Sequence, residues 1–304
     1  MADPFHLRIL RGKDQRERKR MSDIFHRVQS QLAQDPGQRG VQHLAVEGDL
    51  RAAAESLVRA HHVLIVTGFY IPRAKACETD GPPGARALGA AFSKLNIRHT
   101  YVTDQLCYPV CEAAGLRPIV AFEDTSLQDL APSHLLAIER PGKAADGRYY
   151  SMRAMDITPT TASIDDWFEQ AAKQGIPTIG IGDGGNEIGM GKVRNQVLQH
   201  VSHGATIACV TATNFLIAAG TSNFGAWGLV AAMQVLTGQQ LLPGEDLARK
   251  HLEDCARAGA VDGVTGEGFI LSQSGSLKPI SVDGLEWETQ AKFLREIHSL
   301  VSSP

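Results

Sequence analysis

From residue 61 onward, short apolar runs alternate with amphipathic stretches. HHVLIVTGF, RHTYVTD, LRPIVAF, HLLAIERPG and PTIGIGDGG are short and almost continuously apolar, the pattern of strands buried on both faces. Between them PPGARALGAAFSKLN, QLCYPVCEAAG and DDWFEQAAKQG repeat apolar residues at helical spacing. The first opens on proline, where the missing N–H costs nothing. GMGKVRNQVLQHV then predicts a helix and ATIACVTAT a strand. FGAWGLVAAMQVLTG, GEDLARKHLEDCARAG and VDGLEWETQAKFLREIHSLV predict three closing helices. Repeated β-α units predict an α/β fold: a three-layer αβα, Rossmann-like domain on a mostly parallel sheet. Residues 1–45 read as a polar, partly helical N-terminal extension, and residues 46–304 as a single α/β domain of the catalytic type.

Composition narrows the class. The 304 residues are 43% hydrophobic and 21% charged, with a net charge of −3, so neither nucleic acid nor an acidic membrane surface is expected as a partner. The mixed-sign run RGKDQRERKR reads as a solvated helix or arm. No apolar run reaches transmembrane length, and the N-terminus lacks the apolar core of a signal peptide. Five cysteines without a secretion signal fit free thiols in a reducing compartment. A cytoplasmic location is expected, or the mitochondrial matrix in a eukaryote.

In a doubly wound sheet, ligands sit beyond the carboxyl ends of the strands. Those ends here carry TGF, VTD, ERPG and GDGGNE, and CETDGPPGA follows the first. A parallel sheet therefore puts Glu78, Asp80, Asp104, Glu139, Asp183 and Glu187 on one rim. One such acid is an ordinary helix cap. Six repel one another unless a cation, an amine or shared protons relieve them. Asp262 and Asp283, each before glycine, read as turn residues. His61 and His62 open a strand at the opposite end and read as surface residues.

The run IGIGDGGNEIGMG (179–191) contains G-x-G-x-x-G at Gly180, Gly182 and Gly185. A dinucleotide site also wants an acid about twenty residues on, at the end of the next strand. ATIACVTATN ends instead in Thr211, Thr213 and Asn214, and Asp183 and Glu187 sit where pyrophosphate would lie. No NAD, FAD or ATP is expected. A glycine turn usually offers its N–H groups to an anion. Two carboxylates in that turn imply a ligand that is not a phosphate, or a positive charge brought from elsewhere.

TGF, ETDGPPGA, VTD, ERPG, MDIT and IGDGGNEIGMG occur in this order in a family that the chain resembles over roughly residues 45–300. It is the C-terminal domain of vertebrate mitochondrial D-glutamate cyclase, which also occurs as free-standing bacterial proteins. The resemblance implies a hydro-lyase that converts D-glutamate, or a close relative, to 5-oxo-D-proline with loss of water. The vertebrate protein carries a further N-terminal part resembling a hydro-lyase family, which this chain lacks, so chemistry carried by that part is not expected here. A separate hydro-lyase-like protein or a second copy of the chain is then a candidate partner.

Asp183, Glu187, Asp104, Glu78 and Asp80 are the catalytic candidates. Gly68, Thr79, Gly81, Arg140, Asp156, Gly184, Gly185 and Asn186 are the substrate-binding candidates. The helix N-terminus after Gly81 and Arg140 are the candidate partners for a substrate carboxylate. A divalent cation, Mg or Mn, would fall to Asp80, Asp104 and Asp183. The same rim also suits a metal-dependent hydrolase or isomerase of a small acid, or a ligand-binding partner without catalysis.

Overall fold

The structure, a computed structural model, describes residues 15–268 and 281–302. Strands β1 (His62–Thr67), β2 (Arg98–Thr103), β3 (Ile119–Ala121), β4 (His134–Ile138), β5 (Thr178–Gly182) and β6 (Phe215–Ala218) form one sheet. Its order is β3-β2-β1-β4-β5-β6, and every neighbouring pair is parallel. Alternation along β1 explains the three layers. Val63 and Ile65 join the core beneath one face, Leu64 and Val66 the core beneath the other.

The first face is covered by α1 (Gln15–Leu32), α2 (Asp49–Leu57), α3 (Pro82–Lys94), α5 (Ser222–Thr237), α6 (Glu245–Arg257) and α7 (Trp287–Ser302). The second face takes α4 (Asp165–Lys173) through Trp167, Phe168 and Ala171. Helix α5 touches α1, α2, α3 and α7 and is buried on nearly every side. That is why its sequence is apolar all round instead of striped. The first fourteen residues, with part of the charged run, lie outside the described residues. From Gln15 the run is helical, and Met21, Ile24, Phe25, Val28 and Leu32 of α1 join the main core.

Two expectations change. ATIACVTAT is not a strand: Gly204–Ile207 is a short helix, 208–213 is irregular, and the sixth strand is Phe215–Ala218. The backbone of the irregular stretch bonds to the loops instead of the sheet. Cys209 N donates to the Gly185 carbonyl (3.0 Å), Val210 N to that of Lys143 (2.8 Å), and the Thr211 carbonyl accepts from Gly189 N (2.9 Å). His62 is buried, with Nε2 3.1 Å from Thr100 Oγ1, because the strand begins inside the sheet and not above it. No helix among the described residues is long and apolar enough to cross a membrane.

The strand order reverses between β1 and β4, where the crevice of a doubly wound sheet opens. Thr67 and Ile138 are register partners there, so the chain leaves both strands at one level. Gly68 and Phe69 follow one strand, Glu139 and Arg140 the other.

Candidate active site

At this switch point the rim acids separate into two groups. Glu78, Glu139 and Asp183 line one cavity of about 140 Å³, together with Asp283, Asn186 and Arg39. Asp80 lies just behind it: one oxygen each of Asp80, Asp183 and Asp283 falls within 4.8 Å of the others. Glu139 holds a left-handed backbone (φ 44°) at the end of β4, a conformation that costs a non-glycine residue about 1–3 kcal/mol. Its Oε2 accepts from Ser222 Oγ at 2.5 Å. One oxygen of Glu78 is buried and has no hydrogen-bond partner among the described residues.

The N-terminal segment supplies the positive charge that the acidic loop required. Arg39 Nη2 donates to Asp183 Oδ2 (2.7 Å), Asp283 Oδ2 (3.0 Å) and the Gly220 carbonyl (2.9 Å). Nothing local in DPGQRG marks this arginine, because its partners lie more than 140 residues away. Asp283 is also absent from the sequence candidates. It is a turn residue as expected (φ 54°), but the turn delivers its carboxylate to the cavity. Asp262 is a turn residue alone, accepting from Val264 N, Thr265 N, Gly284 N and Ser281 Oγ.

Glu187 answers why the loop is rich in glycine. Its carboxylate folds back into the turn and accepts from Asp183 N (2.9 Å), Gly184 N (2.6 Å) and Gly185 N (2.7 Å). The glycine turn thus cradles an anion, and that anion is the chain's own. Gly185 makes the cradle possible: its φ is +100°, and a Cβ would stand 2.6 Å from Val197 Cγ1. Asn186 is anchored by Nδ2 to the Tyr150 carbonyl. Glu187→Gln should cost about 1–3 kcal/mol, because an amide NH2 would face backbone donors. Urea denaturation measures this, and an unchanged midpoint would remove Glu187 from the scaffold.

Asp104 and Arg140 stand apart from the cavity. Arg140 Nη1 donates to Asp104 Oδ2 (2.6 Å) and the Gly68 carbonyl (2.9 Å), and Nη2 to the Ala162 carbonyl (3.0 Å). Asp104 also accepts from Cys107 N. This buried pair ties the ends of β1, β2 and β4 together. Asp156 is exposed beside Arg148. Thr79 bonds the Ser281 carbonyl. The N-terminus of α3 after Gly81 is filled by Asn223 Oδ1, which accepts from Gly81 N and Gly84 N. Asp80 returns the exchange, accepting from Ser222 N (2.7 Å) and Asn223 N (2.8 Å) at the start of α5. Two helices therefore cap each other across the site.

Charge crowding sets the protonation. Burial, with Glu139 and Asp283 nearby, holds Glu78 well above the usual carboxyl range. Burial and the Glu187 and Asp80 charges do the same to Glu139. Burial pushes Asp80 to about 7, with Asp283 adding and the Ser222 and Asn223 N–H groups opposing. Asp183 is raised by burial against the pull of Arg39. Arg39 itself stays charged: burial opposes the charge, but Asp183 and Asp283 outweigh it.

Stability should follow. Asp80 keeps its proton to about pH 7 in the fold but only to about pH 4 in the unfolded chain. The folded state therefore binds more protons between those limits. Its contribution is complete below about pH 4 and is lost as pH rises through 7. The melting temperature should fall from about pH 5.5 to about pH 8, and less steeply in Asp80→Asn. A melting temperature that rises over that range would contradict the assignment.

The profile of the family described as D-glutamate cyclase-like, C-terminal, matches residues 28–298. The chain is 32% identical over 317 residues to the mitochondrial D-glutamate cyclase of Homo sapiens, an alignment covering 91% of this chain and 52% of that protein. It thus spans about half the length of the curated relative it matches.

Proposed function

The chain belongs to the D-glutamate cyclase-like C-terminal family, and we propose that it is a hydro-lyase closing D-glutamate, or a close relative, to 5-oxo-D-proline. The observation carrying this reading is the meeting of Glu78, Glu139 and Asp183 at one cavity, with the Arg39 guanidinium paired to Asp183. The reaction forms a bond from the amine nitrogen to the γ-carbon and breaks one γ-carbon–oxygen bond. The two protons that leave the ammonium end on the departing oxygen, which leaves as water.

Such chemistry needs a base and an acid side by side. Among the cavity carboxyls Asp183 and Asp283 both touch Arg39, and Asp183, on the glycine turn, is assigned as the base. Glu78 and Glu139, without a hydrogen-bonded cation, keep their protons and serve as acids toward the γ-carboxyl. Folding the substrate so that amine and carboxyl meet would contribute about 7–11 kcal/mol. A cavity of about 140 Å³ suits a substrate of this size.

Asp80, Asp183 and Asp283 offer the hard oxygen donors that Mg or Mn takes, at compatible spacing. Arg39 donates to two of the three and would have to yield its place. When bound, such an ion would polarise the γ-carboxyl. The test is incubation of purified protein with D- and L-glutamate, with and without divalent metal, followed by chiral chromatography for 5-oxoproline. Formation of 5-oxo-D-proline supports the reading. No product from either enantiomer under any metal condition overturns it for this chain alone.

A further inference from the structure

The anion sites expected from the sequence are both consumed inside the fold, Arg140 by Asp104 and the α3 N-terminus by Asn223. A dicarboxylic amino acid still needs a cation for the carboxylate that does not react. The cavity lining supplies two, Arg73 and Arg153. They arrive on separate segments: Arg73 on the turn between Tyr70–Ile71 and Ala76–Cys77, Arg153 on the loop bridged by Tyr150 and Asp156.

Both converge on a single carbonyl, that of Val264. Arg73 Nη2 donates to it at 2.7 Å and Arg153 Nη2 at 2.6 Å, so the two nitrogens are no farther apart than those bonds combined. Gly266 (φ +69°) gives Arg73 its place: a Cβ there would stand 2.9 Å from Arg73 Nε. Two guanidinium groups so close repel each other, and neither forms an ion pair among the described residues. Each bonds these carbonyls through Nη2, and its remaining guanidinium N–H groups are left as donors for a carboxylate.

We propose that Arg73 and Arg153 are the carboxylate-recognition pair of this site and bind the α-carboxylate of the substrate. Naming that group rests on the cyclase reading above. The γ-carboxyl must lose an oxygen, which favours its placement away from the arginines, since an arginine would hold it as the unreactive carboxylate. The α-carboxylate stays ionised in substrate and product alike and is the group that arginines can hold throughout. The amine then falls to Asp183. The substrate orientation follows: α-carboxylate at the arginines, γ-carboxyl at Glu78 and Glu139.

Glutarate, a five-carbon dicarboxylate without an amine, probes the pair without any turnover. Isothermal titration should show glutarate binding to the unmodified protein. Binding should weaken at least about tenfold in Arg73→Gln and in Arg153→Gln, and further in the double variant, as expected for lost charge-assisted hydrogen bonds. Both residues are exposed, so melting temperatures should stay unchanged. With D-glutamate, KM should rise in each variant while kcat changes much less, because the pair binds substrate and transition state alike. No glutarate binding to the unmodified protein, or equal affinity in the double variant, overturns the proposal even if 5-oxoproline forms. Arginine-dependent glutarate binding without turnover upholds the pair and overturns only the cyclase reading.

Discussion

Asp183→Asn is expected to fold almost normally and to form 5-oxoproline about ten- to a hundredfold more slowly, the loss usual for an acid/base group. Asparagine keeps the size of the side chain and an oxygen for Arg39. Arg39 also keeps Asp283 at 3.0 Å and the Gly220 carbonyl, so its charge is not left alone. What the variant loses is one of the two cavity carboxylates that Arg39 holds, the other being Asp283, and with it the proposed base for the ammonium. Asp183 does not cap a helix: the 3-10 turn Gly191–Val193 and the helix after it begin without a side-chain cap. Melting temperature and initial rate, measured together, decide the matter. Equal rates would make Asp183 a structural partner of Arg39. A lost rate with an intact fold would make it the base.

Asp104→Ala should do the reverse and act on stability. Asp104 and Arg140 are both buried, with side-chain exposures of 4% and 1%. Removing the carboxylate leaves a guanidinium without its counter-charge, which costs about 3–5 kcal/mol in comparable pairs. The domain's total stability is itself only about 5–15 kcal/mol, so the variant should melt far below the parent or fail to accumulate. Replacing both partners in Asp104→Leu/Arg140→Met removes the stranded charge and should recover much of the loss. Urea denaturation of the three proteins checks the ordering. A single variant as stable as the parent yet inactive would return Asp104 to the catalytic group.

The two variants separate acids that look alike along the chain. VTD and GDGG both place an aspartate at a strand end. One is spent on a buried arginine at the floor of the crevice, and the other faces the cavity. The difference is a matter of which residues meet, not of local pattern.

Chain periodicity alone determined the three-layer α/β fold with a mostly parallel sheet. Buried strands and amphipathic helices carry their burial in the spacing of their own residues, so five of six strands and the larger helices could be read directly. The family motifs likewise placed acids at the carboxyl ends of strands, where topology brings them near one another. Tertiary structure decided everything that depends on long-range pairing. ATIACVTAT has the composition of a strand, yet its N–H and carbonyl groups pair with the loops around Gly185, Gly189 and Lys143. Glu187 became the anion of its own glycine turn, and Arg140 the partner of Asp104. Arg39, Arg73, Arg153 and Asp283 joined the site from an N-terminal segment, two surface loops and a C-terminal turn. Each of these four sits in an ordinary polar stretch. A side chain's charge is local, but its partner is chosen by the fold, across more than a hundred residues for Arg39 and for Asp283.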